Sequence, residues 1–177
     1  MPTRADWVLD SDASTLSFIS TKAVNIAEIH SFAMLEGTVD DDGAVRDSID
    51  LASVETGIDI RDDRMREMLF ETGSFSRATL TAMVDTEMLE SLSVGESHSA
   101  AIEGQLALHG ETVPLTFEVV VTRTGESGLL VASRKPVVVN APLFGLAEGV
   151  ERLREVAGLP SISNAVPVSF VLAFEAD

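Results

Sequence analysis

Alternation of apolar and polar side chains in four segments is the feature that most limits how this chain can fold. Segments 16–21, 102–109, 115–122 and 168–175 carry their larger apolar residues at every second position. A period of two is typical of a β-strand with one face towards an apolar interior and the other towards solvent. The alternation therefore predicts an all-β fold.

Short turns separate the predicted strands. They lie at Asp40–Gly43, Val94–Ser97, His109–Glu111 and Thr124–Glu126. Because a short turn joins antiparallel neighbours, the sheet is predicted to be an antiparallel meander or barrel. The three acids before Gly43 could suggest a calcium loop, but the spaced ligands and final Glu of such a loop are missing. A hairpin turn is predicted there instead.

Two segments follow a helical period, and we predict short helices at about 61–70 and 141–157. The second segment follows Asn140, a good N-cap residue, carries Pro142 in its first turn, and ends before Gly158. The apolar helical stripes consist of Met65, Met68 and Leu69 in the first segment and Leu143, Leu146, Ala147, Val150, Leu153 and Ala157 in the second.

Charge and composition exclude several classes of function. The chain has 29 acidic and 12 basic residues and a net charge of −17, so it repels phosphate backbones, and nucleic acid is not expected as a partner. No stretch approaches the ~20 apolar residues that an integral membrane segment needs. Cysteine is absent, which excludes disulfides and thiolate chemistry. The length predicts one domain at 6–177, with residues 1–5 as an N-terminal tail or linker remnant.

The sequence contains no recognisable catalytic or metal-binding motif. His30, His98 and His109 do not stand at metal-ligand spacing, and no nucleophile elbow or phosphate-binding loop is present. We therefore predict no catalytic residue, no metal ligand and no catalytic cofactor. Whether the apolar interior is a filled core or a ligand cavity stays open, because an eight-stranded barrel can be either.

Several motifs together resemble those of the YceI-like family, over about residues 6 to 175. The most specific is Ala52–Gly57 followed by Arg61-Asp62, Met65-Arg66 and Leu69-Phe70. The others are Trp7–Asp10 with Ser17-Phe18, Gly37–Asp40, Gly104–Gly110 with Val113–Leu115, and Asn140–Leu146. The chain departs from the family at Ala13, where His is common, in the Thr21-Lys22 stretch, where a second His is lost, and at Ser76-Arg77, where Tyr-Pro is usual.

The resemblance implies an antiparallel, eight-stranded, lipocalin-like β-barrel. It also implies that the barrel binds a long polyisoprenoid lipid, such as a polyprenyl chain or an isoprenoid quinone like ubiquinone, for storage or transport. Because the family is typically exported, we expect a periplasmic or extracellular protein. Because the resemblance implies a binding role, we expect that it is not an enzyme. A homodimer and further domains of a larger polypeptide stay open.

Two other functions stay open as alternatives. One is an enzyme that acts on an apolar substrate in the barrel, which would need His30 or an inward carboxylate at the lumen. The other is an extracellular interaction or carbohydrate-associated module. A sugar platform usually needs Trp or Tyr, and the chain has only Trp7 and no Tyr.

The ligand-binding residues are predicted from the bulkier apolar face of each alternating segment and from the helical stripes. A β-bulge would reverse the predicted face of every strand residue beyond it. The predicted strand positions are Phe18, Leu106, Leu108, Phe117, Val119, Phe170 and Leu172. The predicted positions outside the strands are Met65, Met68, Leu69, Phe70, Phe144, Leu146, Val150 and Leu153.

Overall fold

The structure is a computed structural model that describes residues 6–177, so the tail predicted at 1–5 lies outside the described residues. Every strand pair in it is antiparallel. The strands are β1 (Trp7–Lys22), β2 (Ile26–Phe32), β3 (Leu35–Val39), β4 (Ala44–Asp50), β5 (Val54–Glu55), β6 (Arg77–Met83), β7 (Ser97–Leu108), β8 (Glu111–Gly125), β9 (Gly128–Ser133), β10 (Val137–Asn140) and β11 (Ala165–Ala176).

Eight of these strands form a closed ring, which confirms the predicted all-β, eight-stranded barrel. The ring runs β1–β3–β4–β6–β7–β8–β9–β11, and β11 pairs again with β1. The three other strands lie beside the ring because β1 and β11 are long enough to change neighbours along their length. β2 pairs with the second half of β1 and carries β5, whereas β10 pairs with the first half of β11.

The helices only partly match the prediction. The first region is an α-helix, α1 (Asp59–Arg64), that continues as a π-helical segment, Met65–Phe70. The second divides into a 3-10 turn, Ala141–Phe144, and α3 (Ala147–Ala157), because Gly145 between them has φ 67°. Asn140 precedes the turn without a side-chain cap bond. α2 (Thr86–Ser91) and a 3-10 turn at Leu51–Ser53 were not predicted. No helix within residues 6–177 is long and apolar enough to cross a membrane.

A bulge in β1 changes which of its residues face the interior. The register against β11 shifts between Asp10 and Thr15. As a result Leu9 faces the interior before the bulge, and Leu16 and Phe18 face it afterwards. At the bulge the Ser14 hydroxyl takes the place of a backbone partner between β1 and β11. It donates to the Asp10 carbonyl at 2.7 Å and accepts from the backbone N–H of Ala173 at 2.9 Å.

The turn predicted at Asp40–Gly43 is confirmed. The Asp40 carboxylate accepts from the backbone N–H groups of Asp42 at 3.0 Å and Ala44 at 2.9 Å, and Gly43 has φ 89°. The side chains of Asp40, Asp41 and Asp42 are exposed and close together. The Asp40 carboxylate thus serves to close the β3–β4 hairpin.

Gly149 lets α3 lie directly on the π-helical segment. A Cβ atom at this position would stand 2.8 Å from the backbone oxygen of Met68 and 3.0 Å from the Cα of Leu69. Both contacts are with main-chain atoms, so a clash could be relieved only by moving one helix. The close packing of these two helices over this end of the barrel therefore requires a residue without a side chain at position 149.

We expect Gly149→Ala to lower the free energy of unfolding by about 1–3 kcal/mol, as overpacking does. In an open helix the same change would stabilise by up to about 1 kcal/mol. Urea unfolding measures the difference. The control is Gly73→Ala, where nothing lies within 4 Å of the added Cβ, and we expect it to be close to neutral. A gain of stability in Gly149→Ala would contradict the close approach of the two helices.

Candidate functional site

The barrel encloses a cavity of about 250 Å³, so its interior is not filled by its own side chains. A single water needs roughly 10–15 Å³ on a comparable measure, so this is far more than a packing defect. All eight ring strands contribute to the wall, and nearly every side chain on it is apolar. The choice that the sequence left open between core and cavity is thus decided for a cavity.

Helical elements contribute to the wall at both ends of the barrel. The chain enters β6 from the π-helical segment and leaves it towards α2, so the two lie at opposite ends. Leu69 and Phe70 line the cavity at the first end, together with Leu146 and Val150 from the region of α3. From α2, Leu89 is among the residues that line the other end.

Most predicted ligand-binding residues lie on the cavity wall. In β7 and β8 the face that the alternation predicted to be inward does face the cavity. No register shift separates these two paired strands. Contact of these residues with a ligand stays a prediction. The residues on the wall are Phe18, Leu69, Phe70, Leu106, Leu108, Phe117, Val119, Leu146, Val150, Phe170 and Leu172.

Four residues that we predicted to line the lumen are not on its wall: Met65, Met68, Phe144 and Leu153. Met65 and Phe144 are buried, and the other two are half-buried. Contact of these four residues with a ligand also stays a prediction, and their position away from the wall has a physical reason. Because the helices at this end pack on each other, part of each apolar stripe contacts a neighbouring element and not the cavity.

Sequence reasoning missed much of the wall on β3, β4 and β6. These strands are short, and Gly37 and Asp47 interrupt their apolar alternation. Leu35, Gly37 and Val39 do follow a period of two if glycine is accepted as an inward residue, and this pattern could have predicted the inward face of β3. The missed wall residues include Leu9, Phe32, Leu35, Val39, Val45, Asp47, Ile49, Leu80 and Ile102.

Asp47 is an inward carboxyl on this apolar wall. Its Oδ1 atom is enclosed and has no hydrogen-bond partner among the residues that the structure describes. Burial raises the pKa of Asp47 to about 7, and no charged neighbour contributes to the change. Gly37 on β3 makes room for the carboxyl, since a Cβ there would lie 2.2 Å from Asp47 Oδ1.

His30 is buried beside the cavity but does not line it. Its ring meets the Phe18 ring edge-on, with 5.4 Å between centroids, and its Nδ1 has no partner. Burial lowers the pKa of His30, with a smaller contribution from Arg61. His30 and Asp47 therefore do not meet in the cavity, although each was an expected kind of group for an enzyme.

An ion-pair cluster outside the cavity attaches α1 to the β1–β2 hairpin. Glu28 contacts Lys22 at 2.5 Å and Arg61 at 2.7 Å, and hydrogen bonds from these cations lower the pKa of Glu28 to about 2. The next residue, Asp62, accepts from the backbone N–H of Thr56 at 2.8 Å and from its hydroxyl at 2.5 Å. The Arg61-Asp62 motif thus positions the helix.

Trp7 is not available as a platform for a sugar ring. It is 8% exposed, and the Arg123 guanidinium lies over its ring at 5.4 Å from the centroid. The aromatic ring on which the carbohydrate alternative depended is therefore covered.

Comparison with known proteins places the fold and cavity in a family. The model of the YceI-like domain matches residues 7–174. The chain belongs to the YceI-like family. This confirms the resemblance found in the sequence. No curated protein sequence gave a significant match.

Solved structures of other proteins share the barrel. A polyisoprenoid-binding domain from Saccharophagus degradans implicated in plant cell wall breakdown is 39% identical, with 97% of this chain and 98% of that chain covered and a TM-score of 0.95. BcnA from Burkholderia cenocepacia is 17% identical, with coverage of 93% and 98% and a TM-score of 0.71. The Campylobacter jejuni YceI protein is 12% identical, with 84% of each chain covered and a TM-score of 0.59. The last two show the shared fold.

We expect the contribution of Asp47 to the stability of the protein to decrease as pH rises from about 4 to about 7. The carboxyl has a pKa of about 7 when folded, against an ordinary value of 3.8. In this range the unfolded chain releases the proton that the folded protein keeps, so unfolding becomes easier as pH rises. Above about pH 7 both states are ionised, and the effect is complete.

Asp47→Asn removes this titration, so its stability relative to the unmodified protein should rise by up to about 4 kcal/mol across the range, at about 1.4 kcal/mol per pKa unit. Urea unfolding at several pH values measures the difference. Asp12→Asn, at an exposed carboxylate, is the control and should show no comparable trend. Parallel curves for Asp47→Asn and the unmodified protein would contradict the raised pKa.

Proposed function

We propose that this YceI-like protein binds a long polyisoprenoid lipid inside its barrel, for storage or transport. An isoprenoid quinone such as ubiquinone, or a polyprenyl chain, is the proposed ligand. The observation that carries the proposal is the apolar cavity inside the barrel, which all eight ring strands line. The Saccharophagus degradans relative, which is a polyisoprenoid-binding domain, supports the ligand class at 39% identity over nearly the whole chain.

The energetics of burial support a lipid ligand. Burying several hundred Å² of prenyl surface contributes on the order of ten kcal/mol, at roughly 25 cal/mol per Å², before the costs of association. The prenyl chain needs no charged partner, and the wall offers almost none. A ligand held in this way can survive purification of the protein.

A binding role is favoured over catalysis by the composition of the wall. General acid–base chemistry commonly uses groups with matched roles within hydrogen-bond reach of the substrate. Among the described residues, Glu36 is the other titratable residue that contributes to the wall, and its carboxylate binds Arg77 and not Asp47. We therefore propose a binding protein that uses no catalytic cofactor.

We further propose a periplasmic or extracellular location. The support is the typical export of the family and the relative's implication in plant cell wall breakdown, a process that takes place outside the cell. The homodimer and the flanking domains that the sequence leaves open stay predictions.

Extraction of the purified protein with organic solvent, followed by mass spectrometry, tests the proposed ligand directly. We expect a prenyl lipid to co-purify, or to bind when it is added to the extracted protein. If no prenyl or acyl lipid co-purifies and none binds on addition, the proposed function is wrong.

Phe117→Trp should block lipid uptake with little change in stability. Phe117 lies on the wall, where its ring centroid is 6.3 Å from that of Phe170. The larger indole can extend into the cavity, so we expect the free energy of unfolding to change by less than about 1 kcal/mol, below the usual cost of overpacking. Lipid uptake is measured by extraction after incubation with a prenyl quinone.

Phe144→Trp is the matched control. Phe144 has no exposed surface and does not line the cavity, so the indole should overpack its surroundings and cost about 1–3 kcal/mol while uptake persists. If Phe117→Trp instead destabilises the fold and takes up lipid normally, Phe117 belongs to the core and the lumen assignment for β8 is wrong.

A further inference from the structure

Asp47 is the one titratable side chain that points into the cavity among residues 6–177. Glu36 and Ser48 also contribute atoms to the wall, but they alternate with the inward residues of β3 and β4. Their side chains meet Arg77 on the outer face of the barrel. The Arg77 guanidinium donates to the Glu36 carboxylate at 2.7 Å and to the Ser48 hydroxyl at 3.1 Å.

The described residues supply no partner for the Asp47 carboxyl. On β3 and β6 the backbone partners of Asp47 are Gly37 and Leu80, and Leu9 of β1 lies next to Gly37. None of these three residues has a titratable side chain. The charged groups of the adjoining strands, Glu36 and Arg77, bind each other outside the wall. Within residues 6–177, no cation neutralises the carboxyl, and no donor or acceptor satisfies its enclosed Oδ1 atom.

An unpaired polar group inside an apolar wall lowers stability unless something else satisfies it. A leucine at position 47 would complete the apolar wall without this cost. A carboxyl that keeps its proton, in contrast, offers one O–H donor and accepting oxygens. The described residues leave these groups unused, and Asp47 lies on the cavity wall, where a molecule in the cavity is next to it.

The position of Asp47 determines how deep such a partner must reach. The inward neighbours on β4 are Val45 and Ile49, each about 7 Å away at the rise of a β-strand. Val45 lies towards the β3–β4 turn, and Ile49 lies towards the end where β6 begins. The carboxyl thus stands midway along its strand, within the barrel.

We propose that the Asp47 carboxyl donates a hydrogen bond to a neutral oxygen, a carbonyl or hydroxyl, on the lipid in the cavity. The barrel then prefers uncharged, oxygen-bearing prenyl lipids over pure hydrocarbons of similar size. It also disfavours lipids that would bring an anionic group to this depth, because no cation is there to receive it. This inference rests on the proposed lipid-binding function.

Competition between two probes tests the selection. The delipidated protein is incubated with an equimolar mixture of a geranylgeranyl benzoquinone and squalene, and the bound lipids are extracted and quantified. We expect the unmodified protein to favour the quinone, and Asp47→Leu to reduce the quinone-to-squalene ratio about five- to tenfold, the effect of one hydrogen bond. Asp47→Asn, whose amide can still donate, should retain most of the preference.

The pH dependence of the ratio gives a second readout that does not depend on the leucine variant. In the unmodified protein the preference for the quinone should fall as pH rises through about 7, since the ionised carboxyl can no longer donate. In Asp47→Asn the ratio should stay constant over the same range. Geranylgeranyl phosphate, as a third probe, should bind more weakly than the quinone at every pH.

Asp12→Leu, which removes an exposed carboxylate outside the cavity, is the matched control and should leave the ratio unchanged. If Asp47→Leu and the unmodified protein give the same ratio, and the ratio does not change with pH, Asp47 plays no part in selection, although lipid binding itself stands. If neither probe binds to the unmodified protein, the proposed function fails, and the inference fails with it.

Discussion

Pairing between β1 and β11 is the constraint on which the rest of the structure depends. It joins the two ends of the chain and turns an open sheet into a ring in which each strand has neighbours on both sides. An open sheet would leave two unpaired edges and could not enclose a volume. The seam tolerates the bulge in β1 because the Ser14 hydroxyl takes over a ladder bond to Ala173.

Closure also determines what the interior can be. Eight strands leave room that side chains can either fill or line, and here they line it. The helices at one end pack against each other through Gly149, so they cover the barrel without filling it. Some apolar residues of these helices contact the neighbouring helix, and others line the lumen.

Charge is separated across the barrel wall. The chain carries a net charge of −17, yet the ion pairs of Arg77 with Glu36, and of Glu28 with Lys22 and Arg61, lie outside the lumen. Asp47 is the exception. Its burial without a partner lowers stability at neutral pH, and a hydrogen bond to a lipid oxygen would offset part of that cost. The same residue thus links the stability of the empty protein to the chemistry of the proposed ligand.

The sequence by itself determined the local features: the strands in the four alternating segments, the inward face of β7 and β8, the turn at Asp40–Gly43, and the end of α3 at Gly158. These depend on residues close together in the chain, whose periodicity reports one buried face. Only the tertiary structure decided that Phe144 packs away from the lumen and that Asp47 points into it. Between Arg46 and Ser48, an aspartate indicates a solvated strand, and its burial follows only when Gly37 and Leu80 become its neighbours. Burial of a polar group depends on which distant strands surround it, and a local pattern carries no information about them.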